Sequence, residues 1–111
     1  MEKKLGKIKS VRFGKGGYQN ACLGISFSLG DGSIGVGDFK GFWDSESMKH
    51  TTNCQWSEED RNKSYAETMR YVSKLLNEAK VNCISDLKDI PIEMTFEGNM
   101  LKEWRILTEV I

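Results

Sequence analysis

The sequence has no long hydrophobic run, no excess of either charge, one proline and one histidine. No apolar stretch approaches the roughly 20 residues that a membrane-crossing helix needs, so no membrane partner is expected. The 16 basic and 16 acidic residues cancel. A general polyanion binder needs clustered positive charge and a DNA mimic needs a strong negative excess, so the balance argues against both. The three cysteines, Cys22, Cys54 and Cys83, are odd in number and widely spaced. That pattern points to free thiols in a reducing compartment rather than to a disulfide framework. The basic start, Met1 to Lys9, is not followed by the apolar stretch of a secretory signal. A cytoplasmic location is expected on these grounds.

What is present suffices for one domain. A chain of 111 residues buries roughly two-thirds of the surface its unfolded form exposes, so it folds without metal or disulfide staples. Residues 1–111 are read as a single domain. Residues 5–13 form a first strand with Ile8, Val11 and Phe13 as its apolar residues, and the slip in alternation between Ile8 and Val11 marks a bulge. Gly14, Gly16 and Gly17 then read as a turn. Residues 20–29 alternate strictly, with Ala21, Leu23, Ile25, Phe27 and Leu29 on one face and Cys22, Gly24, Ser26 and Ser28 on the other. Gly30-Asp31-Gly32 is a tight turn, and residues 33–43 return as a third strand. Residues 44–56 have no periodicity and form the longest loop, a common place for function.

Residues 57–80 read as a helix. Ser57 is its N-cap, with Asp60 completing a capping-box variant. Tyr65, Met69, Val72, Leu75, Leu76 and Ala79 make an apolar stripe suited to covering the second strand. After a connector over 84–90, Ile92, Met94 and Phe96 alternate in a fourth strand opened by Pro91. Gly98-Asn99 is a hairpin turn. The fifth strand spans 100–110, with Met100, Trp104, Ile106 and Val110 on one face and Leu101, Glu103, Arg105 and Leu107 on the other. The order β-β-β-α-β-β implies an α+β domain, an antiparallel sheet with one main helix packed on one face.

The chemical motifs are weak. Gly30 to Gly35 matches G-x-G-x-x-G literally, but it lies between two strands, whereas the dinucleotide fingerprint needs a helix to follow. His50 and Cys54 are four apart, yet no Cys-x-x-Cys pair accompanies them, so neither a zinc site nor a thiol catalyst is expected. No cofactor, metal or catalytic residue is assigned. Pairs of carboxylates such as Asp38 and Asp44 arise by chance among 16 acids.

Binding features are clearer. Phe39, Phe42, Trp43 and Trp56 border the long loop, with His50 inside it as a further candidate, and large aromatics are favoured at interface hot spots. They serve equally to close the core at the base of the loop. A second feature is the small-residue face of strands two and three, Gly24, Ser26, Ser28, Gly35 and Gly37, which lets a backbone or planar ring approach unless Phe39, Trp43 or Trp104 covers it. A third is local charge. Residues 1–19 carry six cations, Lys3, Lys4, Lys7, Lys9, Arg12 and Lys15, against Glu2 alone. Residues 20–60 carry seven acids against Lys40 and Lys49. The simplest reading is mutual attraction between neighbouring strands. The alternative makes Lys7, Lys9, Arg12 and Lys15 a nucleic-acid contact, with aromatics to stack on bases.

The run Ile25 to Trp43 (ISFSLGDGSIGVGDFKGFW), the helix start WSEED and the ending Leu101 to Ile111 (LKEWRILTEVI) resemble a small uncharacterised protein type encoded by tailed bacteriophages and prophages. The resemblance covers most of the chain and brings no assigned activity or site residue. It implies a location in the cytoplasm of a bacterial host and a host or phage protein as partner. The expected function is therefore non-enzymatic: stoichiometric binding to another protein, such as a host-defence component, in the manner of an anti-CRISPR inhibitor. The alternative is a nucleic-acid-binding accessory in phage replication or recombination. An exposed sheet edge also permits a homodimer.

Overall fold

Fifteen consecutive residues, Glu2–Gly16, form the first strand, β1, in the computed structural model, which describes all 111 residues. It is longer at both ends than its apolar residues alone mark out. Gly14 and Gly16, expected in a turn, pair with Gly24 and Cys22 inside the sheet. Turning is left to Gly17 and a 3-10 turn over Tyr18–Asn20. The other strands are β2 (Cys22–Gly30), β3 (Gly35–Trp43), β4 (Pro91–Glu97) and β5 (Met100–Ile106), and the helix α1 spans Glu58–Ala79. The sheet has the order β3-β2-β1-β4-β5 with every pair antiparallel. The fold is thus α+β, a five-stranded antiparallel sheet with one main helix.

β1 is the shared central strand, but its two neighbours use different lengths of it. β4 pairs with Glu2 to Lys7, and β2 with Lys7 to Gly16. Between Ile8 and Ser10 the β1–β2 register shifts, which is the bulge expected from the broken alternation. A bulge bends a strand and strengthens its twist. The bend is large here, because the two outermost strands are drawn together on the core side. The indole N–H of Trp104 on β5 donates to the carboxylate of Asp38 on β3 at 2.7 Å. The Trp104 ring also packs edgewise on Phe27 with centroids 5.0 Å apart. Four strand spacings of a flat sheet would hold β3 and β5 about 19 Å apart.

α1 closes the concave side. Ser57 accepts from the Asp60 N–H while the Asp60 carboxylate accepts from the Ser57 N–H, at 3.1 and 2.8 Å. This reciprocal cap stabilises the helix start by about 1 kcal/mol. Lys80, in the left-handed conformation, ends the helix and donates to Asn77 and Leu76. The buried core consists of Ile8, Ile25, Phe27, Leu29, Leu75, Ala79, Leu87, Ile92, Met94, Phe96 and Ile106. Each of these side chains other than Ala79 contributes on the order of 1.5–3 kcal/mol when fully buried.

Two expected faces are corrected. On α1 the expected stripe packs on the core at Val72, Leu75, Leu76 and Ala79, but Met69 is 52% exposed, and Arg61 and Thr68 are buried instead. Thr68 is tolerated there because its hydroxyl donates to the Ser64 carbonyl at 2.9 Å. In β5 the register shifts opposite Thr95/Phe96, so Leu101 pairs with Phe96 and packs on the core with Trp104, whereas Met100 is exposed. The strand also ends at Ile106, and Val110 lies exposed in a 3-10 turn.

Candidate functional site

The five aromatic and imidazole candidates divide into two groups because neighbours in a strand point to opposite faces. Phe42 lies on the helix side. Its ring meets Trp56 edge-on at 5.5 Å, and His50 meets the same indole edge-on at 5.2 Å. The guanidinium of Arg61 stacks over Trp56 at 4.6 Å. Arg61 is only 3% exposed, donates to the Met48 carbonyl at 2.6 Å and lies 3.3 Å from the Glu58 carboxylate. Its Nε lacks a hydrogen-bond partner, so the indole face and the carboxylate supply the compensation that a buried cation requires. These contacts tie the 44–56 loop to the first turn of α1.

Asp44 ties down the other end of the loop. Its carboxylate accepts from the Ser47 hydroxyl at 2.9 Å and the Ser47 N–H at 3.0 Å, and Lys15 lies 3.2 Å away. The Ser47 hydroxyl, followed by Lys15, holds the Asp44 carboxyl below its ordinary pKa. The Tyr65 hydroxyl donates to the Trp43 carbonyl at 2.6 Å, anchoring β3 to α1, and burial pushes the Tyr65 phenol up. The long loop is therefore held from both ends. Phe42, His50 and Trp56 close its base, the structural role weighed for them in the sequence.

Phe39 and Trp43 lie on the opposite face, which α1 does not cover. That face carries Cys22, Gly24, Ser26 and Ser28 of β2 beside Gly37, Gly41 and these two aromatics of β3. Phe39 packs over Gly16, Gly17 and Ser26, where a Cβ on Gly16 would stand 3.1 Å from its ring. Phe39 thus covers one end of the small-residue face. Trp104, also considered as a cover, lies on the helix side instead, drawn there by Asp38 and Phe27. Gly24 and Gly41 are directly paired, and a Cβ on either would strike the other strand's backbone. The close approach of β2 and β3 at this point demands glycine on both strands.

The four basic candidates are likewise not one patch. Lys7 pairs with Asp89 at 3.2 Å and Lys15 with Asp44 at 3.2 Å. Arg12 donates to the Lys15 carbonyl at 2.9 Å, and Lys9 sits at the bulge with its amine near Gly35. Only Lys15 meets an acid of the 20–60 segment; Lys3 and Lys7 are matched by Glu93 and Asp89 near and on β4.

The cysteines are free. The Cys54 sulfur accepts from the Thr51 N–H at 3.4 Å and lies 3.5 Å from the Thr51 hydroxyl, which together lower its pKa. His50 Nε2 is 2.8 Å from the Trp56 carbonyl, so it carries the proton and donates there. The imidazole is turned to a carbonyl rather than to the Cys54 thiol, and no three metal-ligating side chains gather anywhere in the chain. Comparison with known protein families, with curated proteins and with solved structures gives no match.

Arg61 was the residue that sequence reasoning passed over. Its signal was available: it stands one helical turn before Tyr65, in line with Thr68, Leu75 and Ala79, so a charge occupied a core-facing position. Asp44 had a local signal only toward Ser47, three residues on, since its other partner, Lys15, is set by the return of the chain to β1.

Proposed function

We propose that this chain acts by stoichiometric binding to another protein through the open face of its sheet, without catalysis. The observation that carries this reading is the uncovered face on which Phe39 and Trp43 flank Gly24, Ser26, Ser28 and Gly37. Half-buried aromatics beside small residues give a partner both an anchor and room for close approach. The resemblance to a phage-encoded protein type favours a partner from the bacterial host or the phage, with a host-defence component as the leading candidate. Zero net charge favours contact through a mixed, aromatic surface over imitation of DNA.

The test is affinity purification from a bacterial host with nuclease present, followed by titration of the purified partner. A one-to-one complex weakened at least tenfold by Trp43→Ala, and unchanged by Lys102→Ala on the far edge strand, is the expected result. Binding insensitive to both Phe39→Ala and Trp43→Ala would move the function away from this face.

One observation favours the nucleic-acid reading as the alternative. Lys7 and Arg12 share the open face with Phe39 and Trp43, the combination of cation and ring that single strands use. That reading expects single-strand binding that weakens steeply with salt and with Arg12→Ala. Partners that vanish after nuclease treatment would favour it.

A further inference from the structure

β1 is flanked on its second side along only half its length. Ile8 turns its N–H and carbonyl toward β4's side, where they meet Ile90 and Asp89 at 3.0 and 2.7 Å. Past the bulge, Val11, Phe13 and Lys15 share the Ile8 face and turn their main-chain groups the same way. There the strand pairing has already stopped, since β4 reaches no further than Lys7 and the segment before it forms the 3-10 turn Ile84–Leu87, which lies against β1 without continuing the ladder. The Lys15 carbonyl in this stretch accepts from the Arg12 guanidinium. Alongside the bare edge runs a trough of about 250 Å³ lined by Phe13, Leu23, Tyr65, Thr68 and Met69. None of the five is charged, and Phe13 and Met69 are 39% and 52% exposed. Unpaired main-chain groups beside an apolar trough are the two requirements for adding a strand to a sheet.

We propose that this vacant half-lane, beside residues 10–16 of β1, takes an extended segment of another protein in which apolar residues alternate with acidic ones. The filled half of the same lane supplies the pattern. β4 turns Ile92, Met94 and Phe96 to the core and Glu93 and Thr95 to the other face, with Glu97 at its end. Lys3 faces Glu93 at 3.9 Å, and Lys7 faces Asp89 at 3.2 Å. Arg12 is the open-face cation of the vacant half, and it bonds a main-chain carbonyl instead of a carboxylate. An incoming strand would take over that carbonyl, free the guanidinium for an acidic side chain, and set its apolar residues against Phe13 and Met69. A second copy of β1 does not suit the lane. From Lys3 to Gly30 the chain has six cations and no acid, so β1 against β1 brings cations together with no acid to pair them. Met69 lies on the helix side, away from the Phe39–Trp43 face, so Met69→Glu separates loss of binding at this edge from loss of binding at that face.

The experiment uses ¹⁵N-labelled full-length chain and three blocked eight-residue peptides in which valine alternates with glutamate, serine or lysine. The glutamate peptide is expected to shift the amide signals of Val11, Phe13 and Lys15 and to slow their hydrogen exchange at least tenfold. The serine peptide should bind more weakly and the lysine peptide least. Met69→Glu should weaken the glutamate peptide at least tenfold, and Arg12→Glu should invert the order of the three. Both residues lie on the surface, and unchanged far-UV circular dichroism verifies that the variants fold. Absence of shifts at those three amides overturns the site. Equal affinity for all three peptides overturns the acidic partner. A concentration-dependent dimer that protects the same amides assigns the lane to a second copy and overturns the proposal.

Discussion

Phe42 and Trp43 are adjacent in the chain and meet opposite fates. Phe42 joins Trp56, His50 and Arg61 in a cluster that fastens the long loop to α1. Trp43 joins Phe39 on a sheet face that no element covers. The two groups are alike in composition and differ in what completes them. The first is finished from within by a buried cation and by main-chain hydrogen bonds. The second meets glycines and serines of its own strands and leaves room beyond them. Aromatic content therefore does not tell the two groups apart; the side of the sheet does.

The comparison breaks most readily at Arg61. Arg61→Ala removes the bond to Met48 and the stacking on Trp56, and is expected to destabilise the fold by about 3 kcal/mol in urea unfolding. A loss below about 0.5 kcal/mol would show that the cluster does not fasten the loop. Trp56→Ala should cost less, about 2 kcal/mol, because the indole is only half-buried. Trp43→Ala, by contrast, is expected to change stability by under about 1 kcal/mol, since the Tyr65 hydroxyl bonds the backbone carbonyl of residue 43 and keeps it.

Two titrations sharpen the same contrast at smaller amplitude. Asp44 has a lowered pKa, so its contribution is present above the unfolded aspartate value and is lost as pH falls through the folded one. Loop amides near Ser47 should therefore lose exchange protection below about pH 4, and Asp44→Asn should remove that dependence. Tyr71 packs edgewise on Phe27 beneath the Lys40 amine. Burial, with the Asp38 carboxylate assisting, pushes its phenol up to about 12. Its raised value stabilises the fold fully below the unfolded pKa of about 10 and progressively less as pH rises to about 12. Absorbance at the phenolate band should show a late step at about pH 12, and Tyr71→Phe should abolish that step.

Much of the fold was legible because its signals are local. Alternation over Leu23 to Leu29 marked β2, the Ser57/Asp60 pair marked the start of α1, and Gly98-Asn99 marked the β4–β5 turn. The slip between Ile8 and Val11 foretold the bulge. Less was legible where a local rule met a distant partner. Met69 fits the helical stripe but is exposed, because Thr68 satisfies its own hydroxyl and takes the inner position. Leu101 changes face because the β4–β5 register shifts opposite Thr95/Phe96. Of the candidate site, the residue types were evident, but their division between two faces was not drawn from the alternation of β3.

By itself the sequence determined the elements, their order and the α+β class, since periodicity, capping and turn chemistry act over a few residues. Only the tertiary structure decided that β1 serves two hairpins along different halves, that its second half keeps a bare edge beside Phe13 and Met69, and that Trp104 reaches Asp38 across the curled sheet. Strand pairing joins segments far apart in the chain, and its register depends on how the whole core packs rather than on any neighbouring residue.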